Sequence, residues 1–256
     1  MKILDCRSRR IFRSALKSFP LAMKAMALFQ PVFSQETPQV RVELRLLAFS
    51  QDIQPTEVYM QDPAAAVDPP SVKVKIQTYL NEDFFPATLR GRKVAFTTKP
   101  DHASLTRQEE LVGEATIPEA GDSAILIFLP NKTGKAMYQI MPILDSKKVF
   151  PAGSFNVTNI SPFPIRLMLE DKNFDFRPGQ PILIENPPVR PSGQVGMRAF
   201  AFRDEKWNPI STGLWPYPGN ARGVMVLFQD PRSKDVQLQA FDDVPPRVDK
   251  PVTVAP

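Results

Sequence analysis

The sequence predicts an all-β protein: two tandem immunoglobulin-like antiparallel β-sandwich domains. Three observations carry this. One strand pattern is written twice. The apolar residues come in short runs, alternating or continuous, broken by turns at roughly 8–12-residue intervals, as in sandwiches and barrels. Proline is abundant (28 residues) and glycine scarce (11), and no convincing amphipathic helix is present; proline stops helices and is pushed to strand edges and turns.

The first copy of the pattern runs Lys93-Val-Ala-Phe-Thr97, a polar stretch, Ala124-Ile-Leu-Ile-Phe-Leu129, a turn over 131–135 and a strand ending at Asp145. The second runs Met197-Arg-Ala-Phe-Ala-Phe202, a polar stretch with a tryptophan, Gly223-Val-Met-Val-Leu-Phe228, a turn over 230–234 and a strand ending near Asp242. Similar halves of about 100 residues each suit two domains. The competing reading is one larger sandwich whose hairpins look alike through β-propensity alone.

From 39 onward the elements follow in order. Val40, Val42, Leu44 and Leu46 alternate with Arg41, Glu43 and Arg45, which predicts a strand with one wet side. Residues 57–60 form a second short run. Residues 62–70, with three alanines and two prolines, read as a loop. Val72, Val74 and Ile76 alternate with Lys73, Lys75 and Gln77 as another strand. Residues 81–92 read as irregular. Strands follow at 93–98, about 111–117, 123–129 and 136–144, with room for one or two helical turns in 104–111. In the second half, strands are expected at 155–160, 164–169, 173–176, 181–184, 195–202, 207–210, 222–228 and 236–241. Arg177-Pro-Gly-Gln180 is a turn signature, 186–193 is a proline-rich loop, and a hairpin turns at 204–206. The domain boundaries are thus 38–148 and 149–243, with a proline-rich flexible tail at 244–256.

Residues 1–34 form a signal-like basic leader. They hold seven Lys and Arg against one Asp, a net +6, whereas the remainder carries 25 against 26, a net −1. The basic stretch precedes a weakly apolar run, 19–29, and a polar break at Ser34-Gln35-Glu36, the order expected of a secretion signal. Lys24 interrupts the run, so an amphipathic basic helix on an anionic membrane and a start at Met23 are the alternatives. No run approaches the roughly 20 apolar residues of a spanning helix. The body has no concentrated basic face for nucleic acid. Cys6, the sole cysteine, lies in the leader, so cleavage near Ser34 would leave no thiol nucleophile or thiolate metal site.

No residue pattern specifies catalysis, a cofactor or a metal. His102 is the sole histidine, in a loop between Asp101 and Ser104, and no Gly-x-Ser-x-Gly elbow supports a hydrolase. The acid pairs Glu109-Glu110, Glu170-Asp171, Asp204-Glu205 and Asp242-Asp243 are sequence neighbours, which point to opposite faces on a strand and do not build a glycosidase pair. Most lie beside turns, where solvated acids are ordinary. Asn131, Asn156 and Asn159 each head an Asn-x-Ser/Thr triplet, a chance occurrence at this composition.

The candidate binding surface is aromatic. Trp207, Trp215 and Tyr217 lie close together in a loop stiffened by Pro216 and Pro218, and such rings stack on ligands or partners; the bland alternative is that they close one end of the core. Phe84 and Phe85, apolar within a polar loop, come second.

The chain resembles uncharacterised exported bacterial β-sandwich proteins in four features: the signal-like leader, Ile117-Pro-Glu-Ala-Gly121 before an aliphatic strand, Pro151-Ala-Gly-Ser-Phe-Asn-Val-Thr-Asn159, and Arg177-Pro-Gly-Gln180. The resemblance implies export and tandem sandwiches and implies no activity. The leading expectation is a non-catalytic exported protein, periplasmic or extracellular, that binds a protein or a cell-envelope component. The alternatives are a carbohydrate-binding module using the Trp207 to Tyr217 segment, with a glycan as partner, and a hydrolase without a recognisable motif.

Overall fold

The computed structural model describes residues 38–65, 71–80, 83–131, 134–190, 193–217 and 219–243. The leader at 1–34 and the tail at 244–256 lie outside the described residues.

Among the described residues the fold has sixteen strands. The first eight are β1 (Gln39–Ala48), β2 (Glu57–Gln61), β3 (Val72–Lys75), β4 (Phe85–Arg90), β5 (Lys93–Thr97), β6 (Leu111–Thr116), β7 (Ser123–Pro130) and β8 (Tyr138–Leu144). The second eight are β9 (Ser154–Asn159), β10 (Ile165–Leu169), β11 (Lys172–Phe176), β12 (Pro181–Glu185), β13 (Val195–Arg203), β14 (Lys206–Trp215), β15 (Arg222–Gln229) and β16 (Val236–Asp243). Of the one or two helical turns expected over 104–111, only a 3-10 turn at His102–Leu105 is present among the described residues, overlapping the start of that range.

Two four-stranded sheets build each half. The first half has the orders β4-β1-β7-β8 and β3-β2-β5-β6; the second has β12-β9-β15-β16 and β11-β10-β13-β14. Adding eight to every strand number of the first half reproduces the second, so the repeat read in the sequence is a repeat of topology. Most pairs are antiparallel, but β1 runs parallel to β7 and β9 parallel to β15. The first strand of each half thus lies beside its seventh, a long-range pairing that local alternation does not encode.

Two expectations are corrected. Residues 81–92 are not irregular throughout: Phe85–Arg90 forms β4, pairing antiparallel with β1 from Gln39↔Arg90 to Leu44↔Phe85. The last aromatic segment is not a loop either, because β14 continues to Trp215, opposite Val195.

Each sandwich has its own core. Leu44, Met60, Phe96, Val112, Leu126 and Phe128 lie in the first; Phe155, Leu167, Phe176, Ile184, Trp215 and Met225 lie in the second. A third cluster joins the halves: Leu47, Ile125, Ile127, Leu129 and Ile143 from one, Val224, Val226 and Phe241 from the other, with Phe150 of the connection between them. This is why β7 reads Ala-Ile-Leu-Ile-Phe-Leu without a polar break. Ala124, Leu126 and Phe128 face the first core, while Ile125, Ile127 and Leu129 face the junction. A strand covered on both faces has no polar side to show.

Candidate functional site

The charged centre of the molecule is structural. Arg45, on the face of β1 expected to be wet, is buried together with Asp145 and Asp243. Its Nε and Nη2 donate to the two oxygens of Asp145 (2.8 and 2.7 Å), and Nη1 and Nη2 donate to those of Asp243 (2.8 and 2.9 Å). Two bidentate forks from one guanidinium suit its planar geometry. Arg222 completes the group, donating through Nη2 to Asp145 Oδ1 (3.0 Å) and to Asp243, and through Nη1 to the backbone oxygen of Phe150 (2.9 Å), over whose ring it lies at 4.6 Å. Asp243 stands opposite Arg222 in the β15–β16 ladder, and the Asp145 N–H bonds Ser123 O at the matching place beside β7. The two acids therefore end equivalent strands of the two halves.

Burial opposes the charged forms, but the hydrogen bonds to Asp243 and Asp145 more than offset it and leave the Arg45 pKa raised. Burial likewise pushes the Asp243 carboxyl up, and the bond from Arg45 with the charge of Arg222 outweighs it, so the net shift is down. Two cations and two anions from both halves satisfy one another beside the apolar cluster that joins them. The solvated reading of Asp242-Asp243 is thus corrected: Asp242 is exposed, but Asp243 is buried.

One end of the outer face of β3-β2-β5-β6, around Gln61, Ala95 and Thr97, is covered, while Glu57, Lys73, Lys75 and Glu114 of the same face stay exposed. The connection from β5 to β6, residues 98–110, folds back over that end. Gln61 Nε2 donates to Thr97 Oγ1 (2.7 Å) and Ser104 Oγ (3.2 Å), Thr97 donates to Lys99 O (2.7 Å), and Ser104 donates to Asp101 O (2.6 Å). Gln61, Thr97 and Ser104 are all buried. Arg107 clamps the loop, reaching Asp101 and Glu110 at 2.5 Å each, and Lys99 reaches Glu110 at 2.6 Å. The Lys99 bond leads in holding the Glu110 carboxyl below its usual range. Ser104 is committed to this network, and His102 opens the 3-10 turn. Glu110, too, is a buried member of an ion-pair group rather than a solvated turn acid.

The matching face of the second sandwich, on β11-β10-β13-β14, is open. Its β13–β14 connection is only Asp204-Glu205, both at positive φ (52° and 61°), the conformation of a two-residue hairpin turn. Counting from that turn, Phe202 stands opposite Trp207 and Phe200 opposite Pro209. Ala199 and Ala201 face the core, so Phe200 and Phe202 face outward. The Phe202 and Trp207 rings meet edge-on at 5.3 Å. Arg166 of β10 lies over the Trp207 ring at 4.4 Å while its Nε and Nη2 donate to both oxygens of Asp175 (2.6 and 2.7 Å). That fork, more than burial opposes it, lowers the Asp175 pKa. Arg198, beside Met168 in the ladder, is exposed and has no ion-pair partner among the described residues.

The residues proposed from sequence do not form one surface. Trp215 belongs to the core: it is 2% exposed and packs edge-on against Phe155 at 5.5 Å. Trp207 lies at the other end of β14, half-buried on the outer face. Tyr217 is exposed beyond the strand. Phe84 and Phe85 are on the first sandwich: Phe85 opens β4 and packs on the first core, while the exposed Phe84 has Arg45 5.4 Å from its ring centre. They line an open cleft of about 560 Å³ between the β3 and β4 edges, with Lys73 and Lys75. Of the five, only Trp207 sits among the residues of the open face, where Arg166, Phe200 and Phe202 escaped sequence reading. The two-residue turn was the available signal, because it fixes which residues stand opposite each other. Asn159 is buried, with its amide bonded to Phe163 O and Phe176 O, so its glycosylation triplet is closed to modification.

Among the described residues no three or more His, Cys, Asp or Glu side chains cluster as metal ligands, and no helix is long and apolar enough to cross a membrane. No protein-family model matches the chain, and no curated protein matches it.

Proposed function

We propose that this is a non-catalytic exported protein that binds a protein partner through the open face of its second sandwich. The observation that carries the reading is the cluster of Phe200, Phe202 and Trp207 with Arg166 held in place above the indole. Tryptophan and arginine dominate the energetics of protein interfaces, and aromatic residues are enriched there. Arg166 is fixed by Asp175 before any partner arrives, which reduces the ordering cost of binding. The exported half of the proposal rests on the leader's sequence, with which the resemblance to exported sandwich proteins agrees.

A glycan fits less well. Sugar rings stack on an unobstructed aromatic plane, whereas Arg166 already lies over Trp207 and Trp215 is in the core. Titrating a glycan panel against a Trp215→Phe variant, in which Trp207 is the remaining tryptophan, tests this: any saturable change in emission revives the carbohydrate reading.

The direct test places a photo-cross-linking phenylalanine at Phe202 in the full-length protein in its own cells. The expected result is one discrete protein adduct, lost on Trp207→Ala with little change in the unfolding midpoint. No adduct, or the same adduct from a probe at Lys93, overturns the assignment.

A further inference from the structure

Strand edges in this molecule are mostly guarded. Proline or charge interrupts β4 (Pro86, Arg90), β3 (Lys73, Lys75), β12 (Pro181, Glu185) and β11 (Lys172, Asp175), the usual defence against unwanted strand pairing. The first half of β14 has the same protection: Lys206, Pro209 and a bulge where the register shifts between Ala199 and Phe200. Residues 211–214, Ser-Thr-Gly-Leu, have none, and all four are exposed, Leu214 by 62%.

The seam behind this edge is also open. In the first sandwich the Met137 N–H bonds Leu111 O (3.1 Å), stitching the β6 and β8 edges. Gly113 of β6 is so close to β8 that an added Cβ would lie 2.7 Å from Ile140. Between β14 and β16 no backbone bond is formed among the described residues. A Cβ at Gly213 would meet only the Met197 terminus, at 3.9 Å. Nothing of this chain among the described residues closes the place that the first sandwich closes for itself.

We propose that an extended segment of the partner protein adds as a strand along residues 211–214 of β14, with an acidic side chain opposite Thr212. An extended backbone is the chemistry that satisfies a bare strand edge. The acid follows from charge. Thr212 pairs with Arg198, which has no ion-pair partner among the described residues. A residue on the added strand opposite Thr212 points to the same side, two strand spacings, roughly 10 Å, from the Arg198 backbone. An arginine and a glutamate side chain together span that gap. Two residues along, opposite Leu214, an apolar side chain extends the same face. This deepens the proposed function and rests on its premise of a protein partner.

The test uses the full-length protein and two acetylated, amidated nine-residue peptides, in which threonine alternates with leucine around a central glutamate or a central lysine. Hydrogen exchange at residues 211–214 is the readout. The glutamate peptide is expected to slow exchange there at least tenfold and to bind at least tenfold more tightly than the lysine peptide. Arg198→Glu should reverse that order. N-methylating alternate peptide amides should abolish binding for one alternate set and spare it for the other, as one-sided strand pairing requires. The proposal is overturned by no slowing at millimolar peptide, by equal affinities, or by tolerance of both N-methyl sets. Concentration-dependent protection of 211–214 without peptide would also overturn it, by assigning the edge to a second copy of this chain. A Phe202 adduct that survives any of these failures leaves the open face as the binding surface and removes only the strand addition.

Discussion

The outer faces of β3-β2-β5-β6 and β11-β10-β13-β14 have the same strand order and opposite fates. On the first, Gln61, Ala95 and Thr97 are small or polar and lie buried beneath the 98–110 connection. On the second, a two-residue turn leaves nothing to fold back, and the outward residues are Phe200, Phe202, Trp207 and Arg166. The phase of the strands differs as well. Both copies of the repeat contain Ala-Phe, but Phe96 points into the first core, fully buried, and Phe200 points out of the second. A one-residue change of phase exchanges the two faces of a strand. The repeat thus supplies the scaffold twice, while connection length and strand phase leave one copy partly covered and the other open.

The sharpest way to break this comparison is to remove both phenylalanines. Phe96→Ala should cost about 3–5 kcal/mol, as for other buried phenylalanines, whereas Phe200→Ala should cost less than about 1 kcal/mol. Equal shifts in urea midpoint would show that the two face the same environment. Arg45→Ala should also cost about 3–5 kcal/mol, because it leaves two buried carboxylates sharing one arginine. If the quartet is what couples the halves, its unfolding curve should split from one transition into two.

Acid should act through the same group. The Asp243 pKa is lowered in the folded protein, so its contribution to stability is complete above the ordinary aspartate value, about 4, and is lost as pH falls through the lower folded value. Stability followed by denaturant titration should hold to about pH 4 and then drop. Asp243→Asn should lower the neutral plateau and flatten that drop.

Next in size is the covered end of the first face. Gln61→Leu should cost about 1–3 kcal/mol, because it removes the donor that ties Thr97 to Ser104, and should speed proteolysis within 98–110. The smallest effect belongs to the open face: Trp207→Ala should change stability by no more than about 1 kcal/mol, the order of its contacts with Phe202 and Arg166, while abolishing the cross-link from Phe202. A large destabilisation there would make the indole a structural residue and erase the contrast.

Much of the fold was legible because strand periodicity is local. Alternation at Val40, Val42, Leu44 and Leu46 marked β1, and the repeated hairpins marked β7–β8 and β15–β16. The site was less legible. Trp207 and Trp215 look alike as letters eight positions apart, yet the bulge and register of β14 put one outside and the other in the core. Arg45 looked solvated because alternation shows that a side chain leaves its own core, not what waits on the other side. The unbroken apolar runs of β7 and β15 did carry that second fact, since strands that show no polar face are covered twice.

What the amino-acid order determined by itself was the class of structure, the duplication and most strand positions, through side-chain alternation, turn residues and proline placement acting over a few neighbours. Only the tertiary structure decided that β1 lies parallel to β7, that four charges from distant segments neutralise one another between the halves, and that one sheet face is partly covered by its own connection and its counterpart is not. Those outcomes depend on contacts between residues far apart in the chain, whose burial and pairing energies no local window contains.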